Sequence, residues 1–476
     1  MAETAEVPPR TPLETTLAAI RSGPQGAEIA AFFDLGGTVV GGFRTPRARR
    51  THEIHDVLLD GLRDNRTSGD YRRNLEQLER ALAGRTETEL DEIGTRTFEK
   101  LVYGHLYREA WQLILAHQDA GHTVVLVSSL TRFHLRPLAR ELGVDHLLYT
   151  RMATHDGTLT GRVEGSTLWH DGKAEAVTDF AAEHRIDLRR SWAYADSTVD
   201  LPLLGLVGNQ VAVNPDPHLN SVAAERDWPT LAFRPRHDPR PRDFARTVLA
   251  FTGLIGGCLG GIASKSATRD RQRMADALMS SGSRTSLRML GVKVRVTGAE
   301  NTRAPRPAVF LFNHQSQLDI LIVPHVVDGP VAPIAKKELT KNPVFGPILR
   351  FTGATFLDRA NSSESRKALQ PVVETLRAGT SVAVAPEGTR SRTPTPGPFK
   401  KGAFHMAIQA GVPVIPVVIR NAGELCWRDE MVVRRGTVDV AVLEPIDVRG
   451  WDPENLDAEI ASVRRRYLDT LLNWPK

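Results

Sequence analysis

Ile29–Thr38 reads IAAFFDLGGT: an apolar run passes straight into Asp34, and two glycines follow one residue later. A short continuous apolar segment closed by an acid and a Gly-rich turn is the pattern of a strand buried on both faces. The same ending recurs further on. Thr123–Val127 closes with Ser128 and Ser129, and Ser191–Ala195 precedes Asp196. Charged, helix-like sequence separates the first two of these segments from about Thr45 to Ala120, and includes Asn74–Leu82. Strands alternating with helical patterns predict a parallel sheet covered by helices, so the fold class is α/β.

The alternation runs to Arg226 and then changes character. Arg234–Arg246, RPRHDPRPRDFAR, disfavours continuous helix and reads as a linker over 233–246. Residues 1–27 read as a loose leader, 28–232 as a first domain and 247–476 as a second. In the second, strands are expected at Val292–Val296, Ala308–Phe312, Ser381–Ala385, Val412–Ile419 and Thr437–Val442. The chain of 476 residues, 25% charged and 41% hydrophobic, can bury sizeable cores, and its net charge of +5 is mild. That balance suits an anionic membrane surface or phosphorylated substrates and does not require nucleic acid. Two cysteines, Cys258 and Cys426, supply neither a disulfide framework nor a thiolate metal cluster, which suits a reducing cytosol.

Asn313–Asp319, NHQSQLD, sets an imidazole and a carboxylate five positions apart where an apolar strand ends. Such a pair makes a general base oriented by an acid. Three segments follow in order: Gly353–Arg359 (GATFLDR), Ala385–Arg390 (APEGTR) and Gly411–Ile419 (GVPVIPVVI). Together the four resemble the glycerolipid acyltransferase family, specifically bacterial 1-acylglycerol-3-phosphate acyltransferases, over roughly Val292–Val448. The resemblance implies that His314 is the base and Asp319 its orienter. It also implies that Arg359, Glu387, Gly388 and Arg390 belong to the acceptor site, with Lys337 of AKKEL beside them. The residue types agree with the chemistry. A lipid hydroxyl attacking a thioester must lose its proton to a base, and a phosphate monoester is best held by a forked cation. Lys400 and Lys401, in PTPGPFKKG, are available to the phosphates of an acyl-CoA donor; acyl carrier protein is the alternative donor and partner.

In the first domain Asp34, Ser128, Lys173 of HDGKAEAV, and Asp196 with Asp200 of ADSTVD follow in order. This order resembles the haloacid dehalogenase superfamily, in its phosphoserine-phosphatase-like branch, with a Rossmann-like core and a helical cap over about 45–120. The resemblance implies that Asp34 attacks phosphorus, Ser128 and Lys173 hold its oxygens, and Asp34, Asp196 and Asp200 bind Mg2+. It also implies a second Asp two residues after the first, which moves protons to the leaving group and from water. Gly36 stands there instead. Losing that help costs roughly 100 to 10,000-fold in rate, so a scaffold or a metal- and phosphate-binding module is expected rather than a brisk phosphatase.

Thr247–Ala263 is uncharged and Gly-rich, and basic residues from Lys265 to Arg273 follow it. Residues 247–290 are expected to form a membrane-proximal helical region, shallow or re-entrant at the cytoplasmic face of the membrane. The expected enzyme therefore transfers an acyl group from a thioester to a lysophosphatidate-like acceptor in phospholipid synthesis. The competing readings are a bifunctional enzyme with a Mg2+-dependent phosphomonoester phosphatase, and a lipid-binding regulatory protein.

Overall fold

Ala30–Asp34 forms β1, buried at all five positions, as an apolar run flanked by sheet on both sides requires. The computed structural model describes residues 11–41, 67–236, 239–303, 305–327, 329–336, 346, 350–357 and 365–475. The chain divides into two compact units, Met1–Asp238 and Pro239–Lys476.

In the first unit, β2 (Thr123–Ser128), β3 (His146–Tyr149), β6 (Trp192–Ala195), β7 (Asn209–Val213) and β8 (Thr230–Leu231) join β1 in a sheet of order β3-β2-β1-β6-β7-β8. Every pairing is parallel. Strand order reverses between β1 and β6, and at such a switch point the loops leaving the carboxyl ends diverge and open a crevice. Asp34, Ser128 and Asp196 all sit at those ends.

Two expectations for this unit need correction. The expected loose leader contains a helix, Pro12–Ser22, started by a capping box in which Thr11 Oγ1 accepts the Glu14 N–H and the Glu14 carboxylate accepts the Thr11 N–H. Thr16, Leu17 and Ile20 anchor it by burial. The helical cap is also bounded differently. Helix Arg108–Asp119 packs on β2, so it covers the sheet and is not cap. A hairpin of β4 (Met152–His155) and β5 (Thr158–Val163) joins the cap, because Met152 and Leu159 share one buried cluster with Leu78, Leu82, Leu90 and Ile93.

In the second unit, β9 (Val292–Thr297), β10 (Val309–Phe312), β11 (Val331–Lys336), β12 (Thr355–Leu357), β13 (Ser381–Val384), β14 (Val414–Ile419) and β15 (Gly436–Val442) form a sheet of order β12-β11-β13-β10-β14-β15-β9. β10 lies at its centre, parallel to β13 and β14, while β15 runs antiparallel to β14.

Helices Pro241–Lys265 and Arg271–Leu290 pair as a hairpin. The first begins at Pro241, inside the stretch expected to be linker. Pro at the first helical turn loses no needed hydrogen bond, and Asp243 accepts the Arg240 N–H at 2.8 Å. Gly253, Gly257 and Gly261 face the partner helix. A Cβ on Gly257 would stand 2.8 Å from Ser281 O, and one on Gly261 2.3 Å from Ala277 O. Gly256 and Gly260 face open space. The outward face carries Phe244, Val248, Phe251, Ile255 and Leu259, with Val248 66% and Leu259 62% exposed.

Candidate functional site

β10 stops at Phe312, and Asn313 carries its hydrogen bonding one residue further. The buried Asn313 side chain donates to Ile419 O at 2.8 Å and accepts Ile419 N–H at 2.7 Å, tying the strand exit to β14. His314 leaves from this fixed point. Its Nδ1 lies 2.8 Å from Asp319 Oδ2. The same oxygen accepts the N–H groups of Gln315 at 2.8 Å and Ser316 at 2.9 Å. Asp319 is 1% exposed and opens the helix Asp319–Val326, so it cannot rotate without losing all three bonds. Because a carboxylate oxygen accepts, Nδ1 donates and Nε2 is left as the basic nitrogen. The His314 side chain is 24% exposed, enough to meet a substrate.

Glu387 follows β13, the neighbour of β10, and its carboxylate turns inward. Oε1 accepts the His314 N–H at 2.8 Å, and Oε2 accepts the Gly397 N–H at 2.6 Å and the Ser391 hydroxyl at 3.1 Å. Burial lifts this carboxyl to about 7 against the pull of those bonds. Ser391 in turn donates its N–H and hydroxyl to His314 O at 2.7 and 3.0 Å. Arg464, from helix Asp457–Leu472, donates to Pro396 O and Gly397 O at 2.8–3.1 Å. Glu387, expected at the acceptor, is thus a strut between the His314 loop and the Pro394–Pro398 loop.

The other expected residues divide. Gly388 has a left-handed φ of 75°, and Lys400 Nζ would lie 2.9 Å from a Cβ there, so the lysine side chain crosses the glycine. The Arg390 guanidinium donates to Arg428 O, which leaves other N–H groups of its fork for a ligand. Lys401 pairs with Asp457 at 2.9 Å. Arg359 and Lys337 lie outside the described residues. Asn313, Ser391 and Arg464 were not singled out from sequence. Tyr467, whose buried hydroxyl donates to Leu311 O at 2.7 Å, was not either. The first two lie in or beside the quoted motifs, but Arg464 and Tyr467 sit in an ordinary amphipathic helix with no local signal.

A cavity of about 580 Å3 adjoins this arrangement, lined by Phe312, Asp319, Ile320, Val323 and Ile334, and by Lys265 and Arg273 of the hairpin. Its mixture of an apolar wall and basic residues suits an amphiphile.

In the first unit Asp34, Ser128, Lys173, Asp196 and Asp200 are all buried and gathered. Lys173 Nζ donates to Asp34 Oδ1 at 2.6 Å and to Asp200 Oδ1 at 2.7 Å. Carboxylate oxygens of Asp34, Asp196 and Asp200 lie within 4.8 Å of one another. Burial raises the Asp34 carboxyl above the usual range although Lys173 opposes it, and Asp200 adds to the rise. Three carboxylates around one ammonium leave an excess of negative charge, so the group fits a divalent cation such as Mg2+. Gly37 has φ 75°, and a Cβ there would meet Asp196 Oδ2 at 2.0 Å. Gly36 is not among the left-handed glycines and bridges to Val40.

Comparison with known proteins assigns each unit separately. Residues 31–205 match the haloacid dehalogenase-like hydrolase family model, and residues 293–420 match the acyltransferase family model. The chain is 33% identical over 266 residues to phosphoserine phosphatase SerB1 of Mycobacterium tuberculosis, covering 52% of this chain and 84% of that protein. It is 35% identical over 181 residues to human 1-acyl-sn-glycerol-3-phosphate acyltransferase alpha, covering 38% of this chain and 64% of that protein, just under two thirds of its length. A solved structure, the 1-acyl-sn-glycerophosphate acyltransferase of Thermotoga maritima, is 26% identical with a TM-score of 0.41, covering 48% of this chain and 97% of that one.

Proposed function

Because the chain belongs to the haloacid dehalogenase-like hydrolases through its first unit and to the acyltransferases through its second, we propose that it is a 1-acylglycerol-3-phosphate O-acyltransferase. The observation that carries this reading is the His314–Asp319 pair, 2.8 Å apart at the exit of the central strand, with the carboxylate pinned by two backbone N–H groups. Nε2 of His314 takes the proton of the acceptor hydroxyl as its oxygen attacks the thioester carbonyl. The imidazolium then returns the proton to the departing thiolate, so no covalent acyl-enzyme is needed. Arg390, with Arg359 and Lys337, holds the acceptor phosphate, and Lys400 serves the donor. The donor is acyl-CoA or acyl carrier protein.

The acceptor is a lipid, and the hairpin supplies a surface for it. The described stretch Pro241–Thr268 is long and apolar enough to cross a membrane by length and composition. Its glycine face is taken by Arg271–Leu290, a helix that carries Arg271, Arg273, Asp276 and Arg288. A pair with one apolar face and a charged partner suits shallow insertion at the cytoplasmic leaflet better than a span.

The first unit is a metal- and phosphate-binding module, with Asp34, Asp196 and Asp200 holding Mg2+ and Ser128 and Lys173 facing phosphate oxygens. Bound Mg2+ would neutralise the charge gathered on an incoming phosphoryl group. The deciding experiment mixes the full chain with lysophosphatidate and either acyl-CoA or acyl carrier protein thioester. Phosphatidate formed by the parent and not by His314→Ala supports the reading; none formed from either donor ends it.

A further inference from the structure

One loop past β14 touches two parts of the acyl-transfer site. Ala422–Leu425 is a single helical turn, and residues 426–435 follow it before β15 begins. The Cys426 carbonyl accepts the Ser316 hydroxyl at 2.7 Å. Ser316 is fully buried, and its N–H is one of the two that pin Asp319. Two residues past Cys426, the Arg428 carbonyl accepts the Arg390 guanidinium. Arg428's own guanidinium pairs with Asp429 at 3.4 Å, so what it gives Arg390 is main chain.

The position of that carbonyl is set by a side chain. Trp427–Glu430 is a tight turn in which the Glu430 N–H donates to Trp427 O at 2.9 Å. The Glu430 carboxylate reinforces the turn by accepting the Trp427 N–H at 3.4 Å. Arg434 holds the same carboxylate with two nitrogens on two oxygens, at 2.6 and 3.3 Å, and its own N–H donates to Leu425 O at 2.8 Å. The two residues are four apart, yet residues 431–435 are not helical, so the pair closes a loop instead of lining a helix face. An exposed ion pair contributes little, but this one is bidentate and Arg434 is 9% exposed, so it fixes geometry. The two carbonyls differ in what holds them. Cys426 is anchored upstream, its N–H donating to Ala422 O at 3.1 Å, whereas Arg428 O lies inside the turn that Glu430 closes.

Resting on the reading of Arg390 as a ligand of the acceptor phosphate, we infer that Glu430 is a positioning residue for that phosphate, acting with Arg434 through Arg428 O and Arg390. Glu430 lies beyond residue 420, where the family match ends. A guanidinium is a planar fork, and one N–H given to a fixed carbonyl sets the direction of the others. Phosphate recognition by a fork depends on that direction, since a tilt loses one of two parallel bonds. Without the Glu430 carboxylate the turn relaxes and Arg428 O moves, so Arg390 keeps its charge and loses its aim. His314 and Asp319 stay in place, because Ser316 rests on Cys426 O and Glu387 holds the His314 N–H. Acceptor affinity therefore falls while turnover of bound acceptor persists.

The test follows binding of a short-chain lysophosphatidate to the full chain by calorimetry, and acyl transfer across acceptor concentrations, in the parent, Glu430→Ala, Arg390→Ala and the double variant. Glu430→Ala should weaken binding and raise KM by about tenfold, the scale of one charge-assisted hydrogen bond. Its kcat should stay within about twofold of the parent's. In the Arg390→Ala background the Glu430 substitution should add nothing, because a residue that acts through Arg390 has nothing left to aim. Glu430→Gln keeps one oxygen for Arg434 and serves where Glu430→Ala does not fold; it should give a smaller shift of the same sign, again absent without Arg390. Equal effects with and without Arg390, or a fall in kcat with KM unchanged, overturn the inference. Unchanged binding and KM in an active Glu430→Ala enzyme overturn it too and leave the acyltransferase reading standing. Binding that weakens as stated in a chain that transfers no acyl group supports the inference and ends that reading. A parent that neither binds nor acylates lysophosphatidate overturns both.

Discussion

Glu387 Oε1 accepts the backbone N–H of His314 at 2.8 Å, so a residue 73 positions further along the chain fixes the backbone from which the imidazole projects. Asp319 orients the ring from one side, and Glu387 fixes the main chain from the other. Both partners are buried and both use backbone donors, which makes the imidazole's position a property of the sheet and not of its own rotamer.

The first prediction concerns the pair itself. His314→Ala should lower acyl transfer by about 100-fold or more while leaving the melting temperature near that of the parent, because only the proton acceptor is removed. Asp319→Asn should be severe too, since an amide cannot offer the acceptor oxygen to His314, Gln315 and Ser316 in the same rotamer without presenting an N–H group to a neighbouring oxygen or void. Retention of more than about a tenth of parental turnover by His314→Ala would remove the base assignment.

Glu387 predicts a pH dependence of stability. Its carboxyl titrates at about 7 in the fold against an ordinary 4.5, because burial disfavours the charged form. Between those values the native state keeps a proton that the unfolded chain has released, so this group's contribution to stability falls as pH rises from about 4.5 to about 7 and is flat above. Glu387→Gln replaces one acceptor oxygen by a donor that faces other donors, which lowers stability at every pH, but it does not titrate. The gap in melting temperature between variant and parent should therefore narrow as pH rises from about 4.5 to about 7 and stay constant above that. A gap that stays constant across that window would contradict the buried titration.

The hairpin glycines separate packing from helix propensity. Gly256→Ala and Gly260→Ala meet nothing within 4 Å and should each stabilise the helix by about 1 kcal/mol. Gly261→Ala drives a methyl to 2.3 Å from Ala277 O and should destabilise the unit. Thermal unfolding distinguishes the two signs. On the outward face, Val248→Asp or Leu259→Asp should weaken binding to anionic vesicles about tenfold or more, measured by co-sedimentation, since each removes an apolar side chain worth about 1.5–3 kcal/mol on burial. Unchanged sedimentation would show that this face does not meet lipid.

Gly36→Asp should raise hydrolysis of a generic aryl phosphate by roughly 10 to 100-fold, toward the low end of what a positioned acid supplies. The left-handed φ of 75° belongs to Gly37, and Gly36 is not among the glycines with positive φ. The gain should require Mg2+ and disappear with Asp34→Asn. A parent enzyme that already cleaves phosphoserine rapidly would show that another group transfers the proton.

Legibility differed by element. The buried strands β1, β2, β6 and β10 were readable because an apolar run ending in a polar residue has few other solutions, and their carboxyl ends carried Asp34, Ser128, Asp196 and His314. The leader helix Pro12–Ser22 was missed because its capping box and three buried residues lie in a stretch of mixed composition. The uncharged stretch Thr247–Ala263 was expected to open the helical region at residue 247. The helix in fact begins at Pro241 and ends at Lys265, since Pro and Arg at its start are compatible with a first turn. The inward turn of Glu387 was not legible, because a motif records which residues recur together and not which way a carboxylate points. Gly36 was legible at once, since a side chain that is absent from the sequence is absent from the site.

Arg464 and Tyr467 have a consequence for how the second unit can be cut. The match to the acyltransferase family ends at residue 420, and all four motif segments lie before that point. Yet Tyr467 grips the last turn of the central strand through Leu311 O at 2.7 Å, and Arg464 clasps the loop that donates Gly397 N–H to Glu387. A fragment trimmed to the recognisable motifs would carry every residue assigned to the chemistry and still lack the fastener that aligns them. The smallest working piece of this unit is therefore set by its final helix, and two chains with the same motifs but different closing helices need not be interchangeable as catalysts.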